Sequence, residues 1–366
     1  MKAARLNAFD CPLTVETIET PKLIAGSVIL RVISVPIPSF TQNVLSGKLG
    51  YKFPPFPTTP GPTAVGIIEE IADDVYDISK GQLVVAPNFI ASNDPYSKND
   101  AILIGWTAAS ALGDRLQKIY KDGSLAEKFL VPSNAVIPLP DSLLAEYSTG
   151  QLGIFGYIGI SYGAIVRGDF QGGQIVVVNG ATGTIGSAVV LLVLSLGASR
   201  VIAVGRDVAT LKSLQAQDPR RVFIVPLSSS IDDYSTKIAA LAAEIDYPKN
   251  EGAHLFIDAI GGTSTSEPTV ACLKALRRNG IAVFVGSVFS PLPISYMDVM
   301  HKQLDIRGSW MFSQEMFGNL IRLVTSGVVD LNKIKVHTFP LDQVNEAISK
   351  ASTLKGLDWV IVEPNK

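Results

Sequence analysis

The chain has 366 residues, of which 47% are hydrophobic and 17% are charged, and its formal net charge is −2. This composition supports large buried cores and argues against a disordered chain, and the length favours two domains. Because the charges are mixed and nearly balanced, we expect neither nucleic acid nor an anionic membrane as a partner.

The cysteines and the amino-terminal segment indicate the compartment. Cys11 and Cys272 are too few for a disulfide framework and lack a C-x-x-C spacing. The first residues contain no apolar segment of signal-peptide length, and the most apolar stretch, 188–196, is about half as long as a bilayer requires. These features favour a soluble, cytoplasmic protein.

Composition and periodicity change along the chain. Residues 1–144 are rich in proline, turn residues and short apolar runs, which predicts an irregular, β-rich domain. Residues 145–290 alternate strands with helices and predict a doubly wound parallel sheet, its strands at 174–178, 201–204, 222–225, 254–258 and 281–285. Residues 291–366 are too short for their own core, so we expect them to return to the first domain, with strands at 304–307 and 359–362 and helices at 314–326 and near 341–351.

Three glycines mark the turn between the first of these strands and an apolar helix at 187–196. Gly180, Gly183 and Gly186 are spaced G-x-x-G-x-x-G. Together with Thr182, Thr184 and Ile185 they predict a loop whose backbone N–H groups, at the positive end of the helix, hold a dinucleotide pyrophosphate. A tight turn without a ligand is the alternative.

Several further segments occur in the order typical of one family. These segments are PGPTAVGIIEEIA (60–72), DISKGQLVV (77–85), GSLAEKFLVP (123–132), MHKQLDIRGS (300–309) and FPLDQVNEAI (339–348). Through them nearly the whole chain resembles the medium-chain dehydrogenase/reductase superfamily, in which a nucleotide-binding domain interrupts a GroES-like domain. The resemblance implies an α/β fold with a GroES-like β-rich catalytic domain and a Rossmann-type domain.

The resemblance also locates the catalytic zinc of zinc-dependent members. The ligand positions fall near Pro38 or Ser39, at Pro62 and near Phe155, and none of these side chains replaces a thiolate or an imidazole. The histidines, His254, His301 and His337, lie outside this region, and His254 reads as a packed or capping residue more readily than as a ligand. We therefore expect no metal and a resemblance to the zinc-free quinone oxidoreductase and enoyl reductase branch.

The strand ends predict the nicotinamide cofactor. The second strand ends with Gly205 and Arg206, whose guanidinium suits the 2′-phosphate of NADPH, while Asp207 is explained as a helix cap. Asp258 ends a later strand, where it either contacts the cofactor or only forms a turn. By resemblance, Gly286 and Ser287 lie near the nicotinamide.

Tyr51 resembles the tyrosine that follows an S-G pair in quinone oxidoreductases. It either donates a proton to a substrate carbonyl or only lines the pocket, and Tyr157 and Tyr162 are alternative donors. The segment 310–312 lines an apolar substrate site or belongs to the core, and the segment 87–106 is a lid, a partner surface or a passive loop.

Three functions follow. The first is a zinc-independent, NADPH-dependent reductase of an activated double bond (an enone or enoyl compound) or of a quinone. The second is a zinc-free carbonyl reductase or alcohol dehydrogenase, and the third is a non-catalytic NADPH-binding sensor or partner subunit. We also expect a homodimer that pairs through an outer strand at 281–285.

Overall fold

The computed structural model describes residues 1–87, 89–91, 101–108, 110–227, 230–243, 252–263 and 265–366. They form two compact units. The first contains Met1–Tyr157, Leu331–Leu354 and Asp358–Lys366, and the second contains Ile158–Asp330 and Lys355–Leu357. The chain returns to the first unit later than position 291, because the strand expected at 304–307 joins the sheet of the second unit. Much of the predicted loop at 87–106 lies outside the described residues.

The first unit is built mainly from strands. Before Tyr157 these are β1 (Lys2–Arg5), β2 (Thr14–Thr17), β3 (Ser27–Ile37), β4 (Ala64–Ile71), β5 (Leu83–Ala86), β6 (Ile90–Ala91), β7 (Ala101–Leu103), β8 (Thr107–Ala108), β9 (Lys128–Pro132) and β10 (Ile137–Pro138). The helices are α1 (Thr41–Leu45), α2 (Ala111–Ile119), α3 (Leu143–Glu146) and α4 (Thr149–Gly153), with a 3₁₀ turn at Ser133–Ala135. The next helix, α5 (Phe155–Arg167), begins in the first unit and lies mostly in the second. The long strand β3 pairs antiparallel with β4 and β9.

The second unit is a parallel sheet with helices. Its strands are β11 (Ile175–Asn179), β12 (Arg200–Gly205), β13 (Val222–Pro226), β14 (Ala253–Asp258), β15 (Gly261–Thr263), β16 (Leu276–Phe284), β17 (Ser287–Val288) and β18 (Asp305–Gly308). The helices are α6 (Thr184–Ser195), α7 (Val208–Gln217), α8 (Ile231–Ala243), α9 (Glu267–Lys274), α10 (Tyr296–Lys302) and α11 (Gln314–Thr325). The main sheet has the order β13-β12-β11-β14-β16-β18, so the predicted doubly wound sheet is confirmed.

Burial explains the apolar strands at the centre of this sheet. All five residues of β11 are buried, and the strand has a parallel neighbour on each side. Val177, Ile202, Phe256 and Cys272 belong to one hydrophobic core cluster. Each fully buried aliphatic or phenyl side chain contributes roughly 1.5–3 kcal/mol to folding. The other cysteine, Cys11, is exposed in the first unit.

The carboxyl-terminal tail joins the sheet of the first unit. It contains β19 (Lys335–Pro340), α12 (Val344–Thr353) and β20 (Asp358–Glu363), with 3₁₀ turns at Leu331–Lys333 and Leu341–Gln343. Strand β20 pairs antiparallel with β3 and parallel with β19. The resulting sheet has the order β10-β5-β4-β3-β20-β19, with β9 also on β3.

The prediction of 281–285 as an outer strand is wrong. Strand β16 lies between β14 and β18, and β18 ends the sheet. The two strands differ in burial: four of the nine residues of β16 are buried, whereas no residue of β18 is, and β18 carries the exposed Asp305 next to Ile306 and Arg307. Charged residues on a short strand are typical of a sheet edge.

The helices are short. Those of greatest length in the described part of the chain have 13 residues, and none of the helices there is long and apolar enough to cross a membrane.

Candidate active site

The glycine loop begins where β11 ends. Gly180 has a φ of +73°, a left-handed conformation that favours glycine. A Cβ at this position would lie 2.8 Å from the Ile260 nitrogen and 2.9 Å from the Ala259 carbonyl carbon, so two backbones approach closely here. Asn179 supports the turn, because its Oδ1 accepts from the Gly180 N–H and its Nδ2 donates to Oδ1 of Asp258, both at 3.0 Å.

The helix after this loop begins with backbone N–H groups that have no acceptor within the helix. Gly183 is the N-cap residue of α6, and no side chain caps the helix there. The N–H groups of Thr184, Ile185 and Gly186 lie in the first turn, where a helix has no backbone acceptor for them. Together with the helix dipole these groups suit an anion such as a pyrophosphate. Thr182 precedes them and is partly exposed.

The end of β12 presents a cation. Gly205 is buried and ends the strand, whereas Arg206 is exposed. Asp207 caps α7 by accepting from the Thr210 N–H at 2.8 Å, which confirms the capping interpretation. The other carboxylate oxygen of Asp207 lies 2.7 Å from Nζ of Lys355, a contact that the sequence did not indicate.

Asp258 is buried at the end of β14. Its Oδ2 accepts from the Thr269 hydroxyl at 2.5 Å, and its Oδ1 accepts from the Ile260 N–H at 3.2 Å and from Asn179. Burial raises the pKa of this carboxyl to about 6. Because protein donors occupy both oxygens, the carboxyl holds the strand ends together, and its surroundings favour the turn-forming reading over contact with a cofactor.

The predicted cofactor residues lie at one edge of the sheet. Strands β12, β11, β14 and β16 are neighbours, and the carboxyl ends of parallel strands meet at the edge where ligands bind in such folds. Gly286 and Ser287 are exposed after β16, and their N–H groups donate to the carbonyls of Asp258 and Ile260, each at 3.0 Å. The sequence missed Asn179, although a polar residue at the end of an apolar strand was a visible signal.

Tyr51 lies in the first unit within a set of aromatic rings. The centroids of Tyr51 and Trp106 are 6.2 Å apart, those of Trp106 and Phe40 are 6.2 Å apart, and those of Phe40 and Tyr157 are 6.1 Å apart. The Trp359 ring follows at 5.8 Å from Tyr157. We call these five residues the aromatic cluster.

The aromatic cluster contains polar atoms without partners. Within the part of the chain that the structure describes, the Tyr157 hydroxyl and the Trp106 indole nitrogen are buried and make no hydrogen bond. Burial raises the pKa of Tyr51, and burial together with the nearby Tyr51 raises the pKa of Tyr157 well above its usual value. Both phenols are therefore neutral O–H donors near neutral pH.

Sequence neighbours of the three positions expected for zinc ligands lie in or beside this cluster. Phe40 follows Ser39 and packs near Tyr157. Gly156 follows Phe155 in the sequence, and Thr63 follows Pro62. A Cβ on Gly156 would collide with the Thr63 side chain, so these two positions are close together. These residues do not fit a zinc ion, which requires thiolate, imidazole or carboxylate ligands. The described ranges contain no group of three or more His, Cys, Asp or Glu side chains that is able to hold a metal ion.

The remaining candidates lie elsewhere. Tyr162 belongs to the second unit, whereas the aromatic cluster belongs to the first. Phe312 is core, since it is 8% exposed and stacks on Phe317 with a centroid distance of 5.1 Å, while Trp310 is 51% exposed.

The histidines show no ligand arrangement among the described residues. Nδ1 of His254 accepts from the Ile175 N–H at 3.2 Å. Burial and the nearby Arg277 lower the pKa of His254 to about 4, so this residue is a packed, neutral imidazole. His301 is exposed on α10, and His337 lies on β19.

Two family models match the chain: the alcohol dehydrogenase GroES-like domain over residues 25–141 and the zinc-binding dehydrogenase domain over residues 184–326. The chain is 26% identical over 358 residues to an alcohol dehydrogenase of Geobacillus stearothermophilus, covering 97% of each chain. It is 26% identical over 250 residues to the probable D-xylulose reductase A of Emericella nidulans, spanning 66% of this chain and 64% of that protein. The solved structure of the alcohol dehydrogenase TADH from Thermus sp. ATN1 matches with a TM-score of 0.80 and 21% identity, over 99% of this chain and 100% of that one.

The fold and the matches define the class of protein, an oxidoreductase built from a GroES-like and a Rossmann-type domain. The chain belongs to the medium-chain dehydrogenase/reductase superfamily. Its relatives bear the names of an alcohol dehydrogenase and a xylulose reductase, so they support the superfamily and not specifically the quinone oxidoreductase and enoyl reductase branch.

Proposed function

We propose that the protein is a zinc-independent, NADPH-dependent oxidoreductase that interconverts a carbonyl compound and its alcohol. The names of the relatives favour this substrate pair. The observation that carries the zinc-independent part is the chemistry at the expected ligand positions, which lack thiolate and imidazole side chains. The aromatic cluster beside them contains buried O–H and N–H donors that have no partner among the described residues.

The second unit supplies the cofactor site in this proposal. The backbone donors of Thr184, Ile185 and Gly186 hold the pyrophosphate. Arg206 binds the 2′-phosphate, and the backbone at Gly286 and Ser287 lies along the nicotinamide end. When bound, the dihydronicotinamide supplies the hydride.

The first unit supplies the electrophile. The neutral Tyr51 hydroxyl donates a hydrogen bond to the carbonyl oxygen of the substrate and then transfers its proton to the developing alkoxide. Tyr157 is the alternative donor, because its buried hydroxyl has no partner among the described residues. Tyr157 is buried and Tyr51 is partly buried, and a lower local dielectric strengthens hydrogen bonds at such places.

Reduction of an enone, an enoyl compound or a quinone is the second candidate. The same aromatic cluster favours it, because an enolate needs only one or two neutral hydrogen-bond donors and no metal ion. Product analysis separates the two candidates: the alcohol forms in the first case and the saturated ketone in the second.

The test is oxidation of NADPH, and separately of NADH, with ketones, aldehydes, enones and quinones, each with and without a chelator. We expect chelator-insensitive alcohol formation with NADPH preferred. Alcohol formation that a chelator abolishes would contradict zinc independence. Measurable NADPH binding without turnover across the panel would favour the non-catalytic sensor or partner-subunit hypothesis.

We also propose a homodimer, now through β18. Among the described residues this strand ends the sheet, so its outer backbone groups are able to pair with the same strand of a second copy. Exposed apolar side chains occur on β18 and on the segments before it: Phe289, Tyr296, Met297, Met300 and Ile306. Pairing of two copies across a twofold axis would extend the sheet and cover part of this surface.

A further inference from the structure

A short segment of the carboxyl-terminal tail belongs to the second unit. Lys355–Leu357 lies between α12 and β20 in the sequence, yet its contacts assign it to the nucleotide-binding unit. The Gly356 N–H donates to the Thr182 carbonyl at 2.9 Å, so the segment is fixed to the glycine loop. The Lys355 ammonium consequently lies beside the end of β12, 2.7 Å from Asp207.

This contact changes the character of the acidic residue at the ribose position. A free carboxylate after the second strand accepts from the ribose 2′-OH and favours NADH. Here one oxygen of Asp207 accepts from the Thr210 N–H and the other from Lys355. The Lys355 ammonium is also the largest cause of the lowered pKa of Asp207, followed by Thr210. The charge of Asp207 is therefore balanced.

Two cations remain available to a phosphate at this place. Arg206 is exposed, with no ion-pair or hydrogen-bond partner in the described ranges. The Lys355 side chain is 54% exposed, and an ammonium has three donors, of which Asp207 takes one. Since Lys355 balances Asp207, the charge of Arg206 is left for a 2′-phosphate.

We propose that Lys355 is a specificity-determining residue: with Arg206 it binds the 2′-phosphate of NADPH, and by pairing with Asp207 it removes the acceptor that the ribose of NADH would use. This inference rests on the proposed function. It adds Lys355 to the cofactor site. This residue lies 148 positions after Asp207 in the sequence, and the Gly356 hydrogen bond fixes it beside the glycine loop.

The test is calorimetric binding of four probes: NADPH, NADH, 2′,5′-ADP and 5′-AMP. Lys355→Gln is compared with Arg206→Gln and with a matched control, Lys212→Gln, at an exposed lysine of α7. We expect K355Q to weaken NADPH and 2′,5′-ADP about tenfold, the size of one lost charge-assisted hydrogen bond, with no loss for NADH and 5′-AMP. The control should leave all four affinities unchanged.

A double variant separates the two roles of the lysine. Asp207→Asn retains a helix cap, since Asn caps as well as Asp, but removes the charge that Lys355 balances. In K355Q/D207N the loss of affinity for 2′,5′-ADP should persist. Any increase in the affinity for NADH that K355Q shows should be absent from the double variant. Unchanged melting temperatures show that the variants fold.

The outcomes distinguish this inference from the proposed function. If the wild-type protein prefers NADPH but K355Q behaves like K212Q, the role of Lys355 is wrong and the proposed function stands. Equal weakening of all four probes in K355Q would show a structural role and also overturn the inference. If the wild-type protein binds none of the four probes, both proposals fail.

Discussion

At the residue scale, the aromatic cluster contains an energetic anomaly. A buried hydroxyl without a hydrogen bond costs about 1–3 kcal/mol relative to a satisfied one. Tyr157 and Trp106 both bury such a donor in the described part of the chain, and both rings adjoin Phe40. A ligand oxygen that accepts hydrogen bonds from these two donors would explain why the protein alone leaves them without a partner.

Replacing Tyr157 by Phe separates function from stability. Because Tyr157→Phe removes an unsatisfied hydroxyl, the melting temperature should stay equal or rise. If the hydroxyl contacts the substrate oxygen, kcat/KM should fall about ten- to hundredfold with the most active carbonyl substrate. Steady-state kinetics and thermal melts measure the two effects. Tyr120→Phe, at a buried tyrosine outside the cluster, is the matched control.

Two results would count against this role of Tyr157. One is wild-type activity in Y157F, which would leave Tyr51 as the donor and make Tyr51→Phe the decisive variant. The other is an equal loss in Y157F and Y120F, which would indicate a packing effect without contact to the substrate.

Asp258 predicts a pH dependence of stability. The folded-state pKa of about 6 is above the usual value, so the native state holds this proton more tightly than the unfolded state. The corresponding stability is fully present below about pH 4 and is lost as the pH rises through about 6. Relative to Asp258→Asn, the wild type should lose on the order of 2–3 kcal/mol of unfolding free energy from about pH 4 to pH 7. Urea denaturation across this range measures the unfolding free energy of the wild type minus that of D258N. If this value stays constant or increases with pH, the raised pKa of Asp258 is contradicted.

At the element scale, the β11–α6 turn is determined by backbone packing. The turn at Gly180 combines a left-handed backbone with close approach to Ile260, and Asn179 joins the ends of β11 and β14. A larger residue at Gly180 would displace the strand ends against which the loop is packed. If the loop binds the pyrophosphate as proposed, its geometry and its phosphate affinity are coupled.

Substitution of Gly180 by Ala tests this coupling against a glycine of similar conformation. Gly173 also has a positive φ, +86°, but an added Cβ there meets no atom within 4 Å. Gly173→Ala should cost only the conformational strain, roughly 1–2 kcal/mol. Gly180→Ala adds a steric clash worth roughly 1–3 kcal/mol more and should abolish NADPH binding.

Calorimetry and denaturant melts distinguish the two glycine variants. Retained NADPH affinity in G180A would exclude the loop as the pyrophosphate site. An equal loss of affinity in G173A would mean that general destabilisation explains the effect.

At the scale of the whole molecule, the proposed dimer depends on β18. It ends the main sheet, is short, and carries Ile306 between two charged residues. An edge strand has unpaired backbone groups that are able to pair with the same strand of another copy, and the apolar Ile306 favours this pairing while its charged neighbours oppose it.

Ile306→Lys should convert a dimer into a monomer, because two lysines would face each other across the twofold axis. Light scattering measures the change in mass. Ile119→Lys, at an exposed isoleucine on α2 of the first unit, is the control and should leave the dimer intact. A monomeric wild-type protein would refute the dimer proposal.

The sequence predicted the features that depend on local pattern. The continuous apolar runs of β11 and β12 and the glycine after each marked the parallel sheet and its ligand edge. The order of the strands was less accessible, since an apolar run such as 281–284 does not reveal whether it has one neighbour or two. The role of Lys355 was not predictable, because its contact with Asp207 depends on tertiary structure. The role of Asn179 was accessible from the sequence, because a polar residue ends an apolar strand there.

The two cysteines differ in burial, so their alkylation rates measure local opening of the fold. Cys11 is exposed in the first unit, and Cys272 is buried in the core of the second, where burial raises the pKa of its thiol well above the usual value. Because the thiolate is the reactive form, an alkylating reagent modifies the native protein once and the second thiol only when that sheet core opens. The rate of the second modification therefore reports the opening of the core of the second unit, and under the proposed function NADPH should slow it.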